Sequence, residues 1–216
     1  MCPLNQKCIE RRKTDLSTLV NCMKLIILAG MPATGKTTIA AIFRNHFGFP
    51  VLEKDAIKEC LFDTIGFESY AEKSELDVAA NTVLLKGLEA MLESGTSVIV
   101  DNNFDEQSAQ QLNELLEKYS VETVTIFMTG NPQTLYERYV KRDSAHARHL
   151  GHAMQTHYPP HPGEQTEFHM TREGFDERFI KKKMDVMLWT GKQINVDATH
   201  PERIDVDGLI KQIEEM

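Results

Sequence analysis

The sequence predicts an α/β protein in three layers, a parallel sheet of five strands with helices on both faces and one lid-like insertion. Three observations predict it. Residues 24–29 contain a continuous apolar run with the character of a strand buried on both faces, and 97–101 and 121–128 read as further strands. Between them apolar residues recur at helical spacing, as at Ile39, Ala40, Ile42, Phe43 and Phe47. Strand and helix signals alternate along the chain, and successive parallel strands need such helical crossovers.

Taken in order, residues 1–22 are polar and mixed, with a charged Glu10-Arg11-Arg12-Lys13 run. They read as an added or start-site extension before Met23, or as a short helix packed on the domain; residues 23–216 form the domain itself. The first helix is expected over 36–47, ended by Gly48. A second strand follows at 49–52, with Glu53-Lys54-Asp55 at its carboxyl end, and a helix through Ile57, Cys60 and Leu61. Residues 66–74 read as a loop. From 75 to 93 an apolar face is expected from Leu76, Ala79, Ala80, Val83, Leu84, Leu88, Met91 and Leu92. The strand at 97–101 ends on Asp101, and Asp105 caps a helix carrying Ala109, Leu112, Leu115 and Leu116. After the strand at 121–128, Asn131-Pro132 opens a helix bearing Leu135, Tyr139 and Val140, with Arg138 and Arg142 on other sides. Residues 143–171 break the pattern with six of the eight histidines and three prolines, which suits a lid or an acceptor-binding insertion. A helix resumes near Arg172 with Phe175, Phe179, Ile180, Met187 and Leu188 inward. The last strand is 193–196, and Thr199-His200-Pro201-Glu202 reads as the start of the final helix.

The stretch Gly30-Met31-Pro32-Ala33-Thr34-Gly35-Lys36-Thr37 between the first strand and first helix has the spacing of a phosphate-binding P-loop. Gly30 and Gly35 let successive backbone N–H groups point into one anion-sized hollow, to which the helix adds its positive end. Lys36 reaches the outer phosphates and the Thr37 hydroxyl serves Mg²⁺. The expected nucleotide contacts are Gly30, Ala33, Thr34, Gly35, Lys36, Thr37 and Thr38, so the sheet is that of a P-loop NTPase fold.

Composition narrows the class. With 26% charged and 41% hydrophobic residues the chain is ordinary for a soluble globular protein, and a net charge of −8 argues against a stable nucleic-acid complex or an anionic membrane partner. The four cysteines, at 2, 8, 22 and 60, show neither metal spacing nor a disulfide pattern, which points to a reducing cytoplasm. No apolar segment matches a membrane span or a signal peptide. A monomer or weak homodimer is expected. No Asn-Lys-x-Asp guanine motif occurs, which counts against a GTPase.

The P-loop together with Glu53-Lys54-Asp55-Ala56-Ile57-Lys58, Val98-Ile99-Val100-Asp101-Asn102-Asn103 and Glu137-Arg138-Tyr139-Val140-Lys141-Arg142-Asp143 resembles the small AAA-type P-loop kinases. That group includes polynucleotide 5′-hydroxyl kinase, chloramphenicol phosphotransferase and zeta-toxin-like enzymes, and the resemblance spans about residues 24–205 but not 143–171. It implies ATP and Mg²⁺ as cofactors and a kinase that phosphorylates a hydroxyl of a small molecule. A polynucleotide 5′-hydroxyl or a nucleotide sugar is the alternative acceptor. It also implies Asp55 as the base that activates the hydroxyl, Asp101 as a partner of Mg²⁺ beside Thr37, and Arg138 and Arg142 as lid arginines, with Arg148 a further candidate. Lys58 stands where the family usually has arginine. The loop after the last strand, here Asp197-Ala198-Thr199, is implied to lie against adenine.

The residues themselves leave other readings open. Asp55 also suits a helix cap, Asp101 a solvated strand end, and Arg138 and Arg142 ordinary surface pairs of a helix. The spacing of His146, His149, His152, His157 and His161 allows a metal site, against a polar lid whose histidines face substrate or water. A nucleotide-binding regulatory module without an acceptor is the competing function.

Overall fold

The structure is a computed structural model that describes residues 23–144, 148–164, 170–180 and 186–216. The sheet has five parallel strands in the order β2-β3-β1-β4-β5: β1 Met23–Gly30, β2 Val51–Glu53, β3 Val98–Asp101, β4 Val121–Thr129 and β5 Lys192–Asp197. The helices are α1 Lys36–Phe47, α2 Lys54–Ile65, α3 Tyr70–Glu93, α4 Glu106–Lys118, α5 Pro132–Ser144, the short α6 Leu150–Ala153 and α7 Arg172–Phe175, and α8 Val206–Glu214.

The period of two along β1 builds the three layers. Leu25, Ile27 and Ala29 face α3 and α4, packing with Leu84, Leu88, Leu92 and Leu112. Ile26 and Leu28 face the other way, onto Ile39, Ala40 and Phe43 of α1 and Leu209, Ile210 and Ile213 of α8. These five β1 side chains are fully buried, so β1 is apolar from Leu25 to Ala29 rather than alternating. Thr125 is equally buried in β4, its hydroxyl satisfied by the Trp189 indole N–H at 2.9 Å.

Gly48 ends α1 as expected, with φ +70° and its N–H on the Arg44 carbonyl. Several boundaries differ. Helix α3 begins at Tyr70, where a loop was expected, because Ser69 caps it and Glu72 reaches back to the residue before the cap. The Ser69 hydroxyl accepts from the Glu72 N–H at 3.2 Å, and the Glu72 carboxylate accepts from the Glu68 N–H at 2.7 Å. On α3 Val83 is exposed and Leu85 buried in its place. The segment at 199–202 does not open the final helix: Pro201–Arg203 makes one 3-10 turn, and Asp205 caps α8 through the Gly208 N–H at 2.9 Å. After α7 the chain passes into a π-helical turn, Asp176–Ile180, that buries Phe179, whereas Leu188 is exposed.

Residues 148–164 are fastened to α2 and α3. Phe67 and Tyr158 pair as an antiparallel bridge, Gly151 seats against the Phe62 ring, and Tyr158 and His149 both bond Asp63. Of the five histidines read as possible ligands, His146 lies outside the described residues. Among the described residues no group of three or more His, Cys, Asp or Glu is placed to hold a metal ion. Likewise no helix among them is long and apolar enough to cross a membrane.

Candidate active site

The carboxyl ends of β1, β2 and β3 open into a cleft of about 1430 Å³, the place where open α/β sheets bind ligands. The phosphate loop forms its floor. Gly30 sits at φ +113°, and a Cβ there would overlap the Met128 carbonyl oxygen, so no other residue fits where β1 leaves the sheet beside β4. Ala33 and Gly35 also take positive φ, +60° and +91°. The buried Thr34 hydroxyl donates to the Met31 carbonyl at 2.8 Å, and the Asn103 side chain accepts from the Gly30 N–H at 2.6 Å. Asn103 thus braces the loop, a role its position next to Asp101 and Asn102 does not announce in the sequence.

Lys36 folds back over the loop, donating to the carbonyls of Gly30 and Met31 at 3.1 and 2.8 Å. Burial depresses its pKa, and the nearby carboxylates of Asp101 and Asp55 oppose that. The Thr37 hydroxyl donates to Asp101 Oδ2 at 2.9 Å, which brings the two expected metal partners from α1 and β3 together. Burial raises the pKa of Asp101, against the pull of Lys36 and Thr37, so this carboxylate is short of positive charge. A hydroxyl and a carboxylate side by side are hard oxygen donors suited to Mg²⁺, which keeps most of its waters.

Asp55 is the second residue of α2 and not its cap; Glu53 occupies that position without a side-chain bond. Its carboxylate faces the cleft. Burial alone would raise the Asp55 pKa, but Arg148 at 2.7 Å, His152 and Lys58 outweigh it and bring the pKa to about 2. Lys58, like Lys54, is paired with Asp77 on α3.

The arginines of α5 divide. Arg138 reaches the loop after β5, its two terminal nitrogens donating to the carbonyls of Ala198 and Thr199 at 2.7 and 2.6 Å. Asp197 in turn accepts from the Thr199 N–H at 2.8 Å, so the loop implied to face adenine is held from both sides. Arg142 pairs through Nε with the buried Asp143 at 2.8 Å, while its Nη2 is buried at the cleft without a hydrogen-bond partner among the described residues. An orphaned guanidinium nitrogen beside the phosphate loop is a donor awaiting an anion. Sequence reasoning missed Lys73 and Arg178, which also line the cleft. Lys73 hides in the stretch read as a loop, and Arg178 in a segment read as a helix only for its apolar face.

These relationships define a class: a P-loop domain of the kinase type, with its nucleotide site at the first strand–helix turn. An AAA domain family profile matches residues 25–160, and the chain belongs to that family. Among solved structures it resembles a "putative kinase" from Chloroflexus aurantiacus j-10-fl, with 26% identity over 89% of this chain and 97% of that one and a TM-score of 0.74. It also shares the fold of shikimate kinase from Bacteroides thetaiotaomicron (15% identity, 90% and 98% covered, TM-score 0.51). A chain of the Pnkp1/Rnl/Hen1 RNA repair complex is a further fold relative, at 18% identity, 79% and 47% covered and a TM-score of 0.53. No curated protein matches the sequence.

Proposed function

We propose that this protein is an ATP- and Mg²⁺-dependent kinase that transfers the γ-phosphoryl group to a hydroxyl of a small molecule. The observation that carries the reading is the Thr37–Asp101 contact at 2.9 Å beside Lys36, with Asp55 at the adjoining strand tip. The amides of the loop and Lys36 hold the phosphates; Thr37 and Asp101 hold Mg²⁺, which when bound neutralises charge on the phosphate oxygens. Asp55 accepts the proton of the acceptor hydroxyl as its oxygen bonds to phosphorus and the bond to the ADP oxygen breaks. Arg142 takes up charge on the transferring group through Nη2, which has no hydrogen-bond partner among the described residues. The base lies against the loop at 197–199, which Arg138 holds in place. A polynucleotide end is the less suited acceptor for a chain with a net charge of −8.

The test is ADP release from Mg·ATP across alcohols, sugars, nucleosides and 5′-hydroxyl oligonucleotides, with Lys36→Ala as control. The expected result is acceptor-stimulated release that Lys36→Ala abolishes. A flat panel, together with a nucleotide-dependent change of shape, instead identifies a regulatory module.

A further inference from the structure

The cleft has two electrostatic halves. Lys36, Thr37, Asp101 and Arg142 line the phosphoryl half beside the loop, whereas Lys54 and Lys58 of α2, Lys73 of α3 and Arg178 line an outer half in which the acceptor would lie. The Asp55–Arg148 ion pair stands between them, since Asp55 acts on Lys36 and is itself acted on by Lys58.

That outer half is basic in an acidic protein. Lys54 and Lys58 share Asp77, and Arg148 uses Asp55, but Lys73 and Arg178 have no carboxylate within ion-pair distance among the described residues. Lys73 is only 4% exposed. Its ammonium donates to the carbonyls of His152, at 3.1 Å, and Met154, and lies 5.4 Å from the centre of the Phe67 ring. Carbonyls and a ring face solvate such a group partly but supply no counter-charge. Lys58, Arg178 and Arg148 add repulsion, and burial together with these neighbours lowers the Lys73 pKa to about 7. Cations to which the described residues give no carboxylate bear a cost that a bound anion removes.

We propose that this wall, with Lys73 and Arg178 at its centre and Arg148 at its edge, is an oxyanion site, so that the acceptor is a small molecule carrying a phosphate monoester or a carboxylate besides its hydroxyl. The assignment of that anion to an acceptor rests on the kinase reading above; the site itself does not. An incoming anion also competes for Arg148 and so frees Asp55 to take a proton, which ties base activity to the correct substrate.

The experiment has a binding arm and a turnover arm. Protein saturated with Mg²⁺ and a non-hydrolysable ATP analogue, which fills the phosphate loop, is titrated calorimetrically with inorganic phosphate and with malonate against sodium chloride of equal ionic strength. Saturable binding of at least one probe is expected, weakened about fivefold or more in Lys73→Met and in Arg178→Gln. Arg178→Gln, at a partly exposed position, keeps the test alive should Lys73→Met not fold. In the turnover arm, ribose 5-phosphate is compared with ribose, and gluconate with glucose. The charged member of at least one pair should show kcat/KM about tenfold or more above its neutral parent, and the pair that responds tells phosphate from carboxylate. Binding lost in both variants without any turnover upholds the oxyanion site and overturns the kinase reading. Neutral parents used as well as charged ones, a 5′-hydroxyl oligonucleotide preferred over both, or probes bound equally by wild type and variants overturn the inference.

Discussion

Arg148 Nη2 stands 2.7 Å from Asp55 Oδ2, so the residue proposed to take the acceptor proton is held by a cation from the segment that follows α5. The sign of the effect follows. A carboxylate with a depressed pKa stays ionised until the pH falls towards about 2, so Asp55 imposes no acid limb on kcat/KM near neutrality. Removing the guanidinium in Arg148→Met takes away the nearest counter-charge, and the acid limb should move up towards the ordinary carboxylate range. Asp55→Asn should lower transfer by about 10²–10⁴-fold with nucleotide affinity kept, read by single-turnover rates and calorimetry.

Lys73 gives a second pH signature. The folded protein releases this proton at about 7, whereas the unfolded chain keeps it up to the ordinary lysine value of 10.5. Stability should therefore rise with pH between those values, and urea melts of Lys73→Met should lack that component. The charged groups facing Lys73 are Lys58, Arg178, Arg148 and Asp77. KM for an anionic acceptor should climb above pH 7 in the wild type and flatten in the variant.

The Thr37–Asp101 pair predicts metal dependence. Asp101→Asn should raise the Mg²⁺ concentration for half-maximal rate by about 10–100-fold, with a smaller shift for Thr37→Val, measured at saturating ATP.

Arg138 separates two roles. Its bonds to Ala198 and Thr199 predict that Arg138→Met loosens the base-side loop and raises KM for ATP several-fold, with kcat little changed. A lid arginine would instead lower kcat at saturating ATP.

Gly30 tests the strand–loop junction. Gly30→Ala must move the Met128 carbonyl and adopt a strained φ, at a cost of about 3 kcal/mol or more and a fall in Tm of about 10 °C. Gly48→Ala, at positive φ but with nothing near its Cβ position, should cost about 1 kcal/mol.

The parts of this site legible in the sequence are those whose geometry is local. Gly30, Gly35, Lys36 and Thr37 belong to one turn between a strand and a helix, and Asp55 and Asp101 sit at strand tips that the alternation of elements lines up. What was hidden depends on distant chain. Lys73 is buried by carbonyls 79 and 81 residues away, and Arg138 finds its partners 60 and 61 residues on. No spacing within a helix encodes such meetings. The start of α3 is a different case: Ser69 followed three residues on by Glu72 was written in the sequence as a helix start, but its irregular surroundings masked it.

The outermost strand has a consequence for any shortened version of this chain. β5 covers β4 along Val124–Thr129, and the carbonyls gripped by Arg138 follow β5 directly. A fragment stopped at residue 160 would keep the loop of β1 yet present a bare row of backbone donors and acceptors on β4, a template for sticking to its own kind. Purified that way, it should precipitate, and the loss of soluble material would say nothing about whether its phosphate hollow still works.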